Sequence, residues 1–145
     1  VRQLAWFRTV PKQKNSKAVT SEEKSLTRAE KIEANGGKPL MPDIGEAEYV
    51  LRYWFDLGAI ETGGMSAAPL SAKEIEAWQS CTGIELTSWE FSIIQMLSRQ
   101  YIAQLLDSER PECPPPYGDP VNDFDREQVG RKIGNAFKAF TQAKK

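Results

Sequence analysis

The string LSAKEIEAWQSCTGIELTSWEF at residues 70–91 spells one helix start twice. Leu70-Ser71-x-x-Glu74-Ile75 is followed sixteen residues later by Leu86-Thr87-x-x-Glu90-Phe91. In such a box the N-cap hydroxyl accepts a hydrogen bond from the backbone N–H three residues on. The carboxylate at that third position accepts one from the N-cap N–H, and the flanking apolar pair closes as a staple. Each cap contributes about 1 kcal/mol, enough to fix where a helix begins. Gly83 lies where the first helix must stop in a left-handed residue. Two consecutive helices are therefore expected, with Ser71, Glu74, Thr87 and Glu90 spent on backbone amides. Read instead as an acid and base pair, the two glutamates would have to converge in one pocket, which this spacing does not predict.

Helical periodicity continues on both sides. Asp43 precedes Ile44 as an N-cap with Glu46 three residues on, and Ala47, Val50, Leu51, Trp54, Phe55 and Leu57 give an apolar face that ends at Gly58. After Thr87 a long helix is expected from about Ser88 to Ser108, with Phe91, Ile94, Leu97, Ser98, Tyr101, Ile102, Leu105 and Leu106 on one side. Thr20-x-x-Glu23 reads as another capping box, for a mostly polar helix running from Ser21 to Asn35-Gly36-Gly37 with only Leu26, Ala29 and Ile32 as its stripe. ETGGMSAAP reads as a linker, and ECPPPYGDP as an extended segment that its prolines hold near polyproline II. A last helix is expected from Pro120 or Asn122, with Phe124, Ile133, Ala136, Phe137 and Phe140 on its apolar face and a basic tail after it.

The expected architecture is an all-α bundle of about four to five helices, with a basic N-terminal arm and a Pro-rich connection before the last helix. It divides into a basic arm with a weak helix (1–38), an acidic helical core domain (39–117), and a C-terminal helix with basic tail (118–145). Charge supports that division. Residues 1–38 hold nine Lys or Arg against four Asp or Glu, residues 39–110 four against eleven, and residues 111–145 six against five. On this reading the arm is a solvated tail whose charge can reach nucleic acid, an acidic partner or the acidic body.

Several function classes fall on residue content alone. With no histidine in 145 residues, the Ser-His and Cys-His nucleophile arrangements are unavailable, and no enzyme is expected. Cys81 and Cys113 alone make neither a disulfide framework nor a zinc ligand set, so no metal or cofactor is expected. No stretch approaches the roughly 18 apolar residues of a membrane span, and VRQLAWFRTVPKQ lacks the apolar run of a secretory signal, which points to the cytoplasm. The two capped helices have the layout of a helix-turn-helix. The second, however, opens Ser88-Trp89-Glu90-Phe91 in a segment of net charge −7, the wrong chemistry for base edges and phosphates, so nucleic acid is disfavoured.

The aromatic residues are the better pointers. Tyr53, Trp54, Trp78 and Trp89 fall in or near the acidic middle. A small helical domain seldom has room to bury every large ring, and Trp and Tyr concentrate at binding hot spots. The alternatives are that the tryptophans are core anchors, or that one of them, Trp89 beside its helix start, faces a partner.

The stretch LRYWFDLG…PLSAKEIEAWQSCTGIELTSWEFSIIQMLSRQYI resembles tail assembly chaperones of long-tailed bacteriophages over roughly residues 47 to 117. In that family a Trp/Phe-containing helix, a Pro-Leu-Ser/Thr turn, Glu-Ile-x-x-Trp, Thr-Gly and a Trp-Glu helix start recur in this order. The resemblance implies a small acidic helical protein of the infected host cytoplasm, without catalytic residues. It would bind the tape-measure protein, shield its hydrophobic helices, help recruit tail-tube subunits, and then leave the finished tail; apart from the resemblance, self-association is a further candidate contact. The partner-binding residues expected from side-chain type are Tyr53, Trp54, Trp78 and Trp89. The alternative expectation is a permanent tail or baseplate component that stays in the virion.

Overall fold

A 21-residue helix opened by a complete capping box gives the molecule its spine. The computed structural model describes residues 1–12, 26–63 and 66–118. Among these residues the order is α1 (Arg2–Arg8), α2 (Arg28–Ala34), a 3-10 turn (Gly45–Ala47), α3 (Glu48–Asp56), an antiparallel two-strand ribbon β1 (Glu61–Gly63) and β2 (Ser66–Ala68), α4 (Ala72–Thr82) and α5 (Ser88–Ser108). The described residues are mostly helical, as the periodicity leads one to expect.

α5 begins where Thr87 accepts from the Glu90 N–H and the Glu90 carboxylate accepts from the Thr87 N–H at 2.7 Å. α4 begins with half of that arrangement. Ser71 Oγ accepts from the Glu74 N–H at 3.3 Å, but the returning carboxylate bond expected of Glu74 does not form, and the Glu74 side chain stays exposed. Gly83 ends α4 at φ +71°, where an L side chain would be strained although space is open. The turn between the helices is pinned by Gln79, whose Oε1 accepts from the Leu86 N–H at 2.7 Å.

α1 and α3 pack along α5, and β2 touches it. The core consists of Ala5, Val50, Trp54, Ala59, Leu70, Ile75, Ile94 and Tyr101. Ser98 is fully buried in α5, and its hydroxyl accepts from the Leu70 N–H at 2.9 Å, so the entry to α4 is tied to the spine by a satisfied polar group. A second cluster, Trp6, Phe7 and Cys113, joins α1 to the segment after α5, with Ala29 and Ile32 of α2 against it.

Four expectations need correction. The N-terminal segment is no solvated arm where it is described: Ala5, Trp6 and Phe7 are buried, because α1 supplies the apolar face that covers the C-terminal half of α5. The second helix starts later than expected, at a capping box of Thr27 and Glu30, while Thr20 and Glu23 lie outside the described residues. Asp43 does not cap α3. Its carboxylate accepts from the Gly45 N–H at 3.0 Å in a turn that Gly45 enters at φ +50°, and α3 begins only at Glu48. The ETGGMSAAP stretch is not a plain linker, because Glu61–Gly63 and Ser66–Ala68 pair as the antiparallel β1–β2 ribbon. The helix expected after Pro120 lies outside the described residues.

The α5 cap gives a pH-dependent prediction. The hydrogen bonds from Thr87 hold the Glu90 carboxyl below the usual carboxylate range, with the Tyr49 hydroxyl assisting, and partial desolvation opposes them. A depressed folded-state pKa adds stability that is present above the ordinary carboxylate pKa of 4.5 and lost as pH falls through the folded value. Thr87→Ala should cost about 1 kcal/mol near neutral pH, and thermal melts at pH 7 and pH 3 should show that difference shrinking in acid. An unchanged difference at pH 3 would take the Glu90 charge out of the cap.

Candidate partner-binding surface

Tyr49 and Tyr53 stand one helical turn apart on α3, so their rings stack along one face of that helix. Their centroids are 5.7 Å apart at 82°. Trp78 on α4 continues the row, 5.3 Å from Tyr53 and tilted by 54°. All three rings are half-buried, and Tyr49 and Tyr53 pack against the core. Tyr49 reaches across to α5, where its hydroxyl meets the Glu90 carboxylate; desolvation first, and then that carboxylate, raise its pKa above the usual phenol value. The start of α5 is therefore coupled to the ring row by a side chain that also makes the cap.

The four expected residues divide. Tyr53 and Trp78 come together in the ring row. Trp54, the next residue after Tyr53, points the other way: it is fully buried and packs edge-on against Tyr101 at 5.2 Å. It is a core residue, and its expected partner role is corrected by the α3 register, which sets Val50 and Trp54 inward. Trp89 is 59% exposed on the first turn of α5. Met96, two turns further along the same outer face, is also exposed. Tyr49 is the ring that sequence reasoning missed, although the Tyr49/Tyr53 spacing of four was there to be read.

The chemistry on offer is that of binding. Flat rings with polar tips present large contact area at low conformational cost, and acidic side chains of α4 and α5 lie near them in sequence. Among the described residues no group of three or more His, Cys, Asp or Glu side chains is placed to hold a metal ion. No helix among them is long and apolar enough to cross a membrane.

Comparison with known proteins bears on the same region. No curated protein and no solved structure matches the chain. A family model described as phage tail assembly chaperone matches residues 26–103, more than half of the 145 residues. The matched segment runs from the lead-in to α2 through α3, the ribbon and α4 into the last turns of α5, and so contains the whole ring row and Trp89. The chain belongs to the phage tail assembly chaperone family.

Proposed function

We propose that the protein holds amphipathic helices of the phage tape-measure protein during tail assembly in the host cytoplasm, through Tyr53 and Trp78 with Trp89 at the rim, and helps bring tail-tube subunits to it. The observation that carries this reading is Trp89, a tryptophan left mostly exposed at the capped start of a rigid helix. A ring of that size in water is a contact surface waiting for an apolar partner, and Trp is the residue most enriched at hot spots. Helix-in-groove recognition needs a lined apolar surface of the kind that Tyr49 and Tyr53, one turn apart on α3, present with Trp78 beside them on α4. The acidic character of residues 39–110 favours a partner whose polar face is basic and speeds its encounter. The role is one of binding, without chemistry on the partner.

Co-expression with the tape-measure protein tests this directly. The expected result is soluble tape-measure protein only when this chain is present. Trp89→Ala should weaken the complex about 30-fold or more, the effect of losing a hot spot of ~2 kcal/mol. Its own unfolding free energy should stay within about 0.5 kcal/mol of the parent, since the ring is exposed. Equal solubility of the tape-measure protein with and without this chain would end the reading. Loss of binding accompanied by a fall in stability would move Trp89 into the fold.

A further inference from the structure

α5 keeps one side out of the core from its first turn to its last. Trp89, Ser92, Met96, Arg99, Ala103 and Leu106 are all exposed, and they follow one another at alternating steps of three and four residues. Trp89, Met96 and Ala103 thus recur every seventh residue, as do Ser92, Arg99 and Leu106, in a stripe on the side away from the buried Ile94, Ser98 and Tyr101. Trp89 is 59%, Met96 44% and Leu106 65% exposed, so three large apolar side chains stand in water along a single face. From Trp89 to Leu106 the stripe is about 26 Å long at 1.5 Å per residue. The small side chains of Ser92 and Ala103 leave gaps between the large ones, and a heptad surface of this kind packs against another helix at a shallow left-handed crossing.

The stripe carries one charge, Arg99, at its middle. Among the described residues no carboxylate lies within ion-pair distance of it, whereas Asp107 pairs with Arg110, Glu109 pairs with Lys12, and Glu90 is taken up by the Thr87 cap. A helix laid over Trp89, Met96 and Leu106 also covers Arg99. A covered guanidinium without a counter-charge is costly, so the helix that fits here brings a carboxylate to that position. One polar pair within an apolar seam fixes register, because sliding the helix by a turn separates the charges. The net negative charge of residues 39–110 meanwhile favours basic residues on the rest of that helix.

We propose, resting on the tape-measure reading above, that the outer stripe of α5 receives one amphipathic helix of that partner, in heptad register, with an Asp or Glu in its apolar seam paired to Arg99. The segment recognised is then a stretch of at least about 18 residues with apolar side chains at a and d positions and one carboxylate among them. Trp89 supplies one end of the contact and Leu106 the other. Arg99 decides which segment binds and where it stops.

Overlapping synthetic peptides of about four heptads, tiled along the tape-measure protein and titrated with the full chain by fluorescence anisotropy, are the test. The peptides that bind should share an apolar seam interrupted by a carboxylate. Arg99→Glu should weaken such a peptide about 30-fold or more, and changing the peptide's carboxylate to Lys should restore binding to Arg99→Glu while abolishing binding to the parent. Leu106→Asp should weaken it as well, with a Tm within about 2 °C of the parent, since the side chain is exposed. Peptides that bind Arg99→Glu and Leu106→Asp as tightly as the parent, yet lose affinity for Trp89→Ala, would overturn the stripe and leave the tape-measure reading standing. Tape-measure protein that is equally soluble with and without this chain ends both. A Tm of Leu106→Asp lowered by more than about 5 °C would assign the stripe to this chain's own fold, and concentration-dependent sedimentation of the parent that Leu106→Asp abolishes would assign it to a second copy. Either result overturns the proposal.

Discussion

Replacing Trp54 by Ala is expected to lower the unfolding free energy by about 3–5 kcal/mol, the range for removing a large aromatic side chain from a packed interior. Trp54 is fully buried, meets Tyr101 edge-on and Phe55 at 4.9 Å, and sits between α3 and the spine helix, so no movement of one surface loop can refill the space. A domain whose whole stability is of order 5–15 kcal/mol has little margin for that loss. Trp54→Phe separates ring packing from the indole nitrogen. Nε1 of Trp54 is buried without a hydrogen-bond partner among the described residues, and a buried unpaired donor costs about 1–3 kcal/mol. Phe gives up some volume but also that donor, so it should fall within about 1.5 kcal/mol of the parent. Urea unfolding followed by far-ultraviolet circular dichroism measures both. An Ala variant within about 1 kcal/mol of the parent would show that the ring is not a core anchor.

The contrast between Trp54 and Trp89 marks how far the sequence alone reaches. Both were candidates for partner contact on side-chain type. Their positions in the helical register decide otherwise: Trp54 follows Val50 by one turn on the inward face of α3, whereas Trp89 precedes Ile94 by five residues, which turns it about 140° away from the buried line of Ile94, Ser98 and Tyr101. That information was present in the spacing. The ends of α4 and the start of α5 were legible for a similar reason, because a hydroxyl and a carboxylate three residues apart act on the backbone beside them and need nothing distant.

What stayed hidden depends on distant parts of the chain. The run Leu4-Ala5-Trp6-Phe7 was masked by averaging charge over 1–38, and its burial comes from α5 and Cys113, about a hundred residues away in sequence. Asp43 had the composition of a helix cap, but the carboxylate found a nearer N–H at Gly45, and the α-helix starts one 3-10 turn later. The ribbon was missed because a glycine-rich stretch of sequence signals a hairpin and a linker alike, and strands of three residues carry too little alternation to read. In the candidate surface, Tyr53 and Trp78 belong to different helices, and their 5.3 Å meeting follows only from how α3 and α4 lie together.

Arg28 is the strongest case of a residue whose role no local pattern could give, and removing it should have the second large effect. Its guanidinium is buried, with Nη1 donating to the Ser108 carbonyl at 2.6 Å and Nη2 to the Arg110 carbonyl at 2.8 Å. A helix leaves its last carbonyls unpaired, and here one planar cation from α2 caps the end of α5 across eighty residues of chain. The same group lies 4.8 Å over the Trp6 ring, so α1, α2 and the end of α5 meet on a single side chain. Arg28→Ala takes the charged donor from the Ser108 carbonyl, leaves the Arg110 carbonyl with the Cys113 N–H alone, and opens the Trp6 face, while relief of the buried charge returns part of the loss, for a net destabilisation of about 2–4 kcal/mol. Arg28→Lys should recover less than half of it, because one ammonium on a flexible stem cannot hold both carbonyls and cover the ring. Hydrogen exchange localises the effect: amides of α1 and of the last turn of α5 should lose protection in Arg28→Ala, while those at the Thr87 end of α5 keep it. A uniform loss along α5, or a change below about 0.5 kcal/mol, would mean that Arg28 is not the clamp that its hydrogen bonds describe.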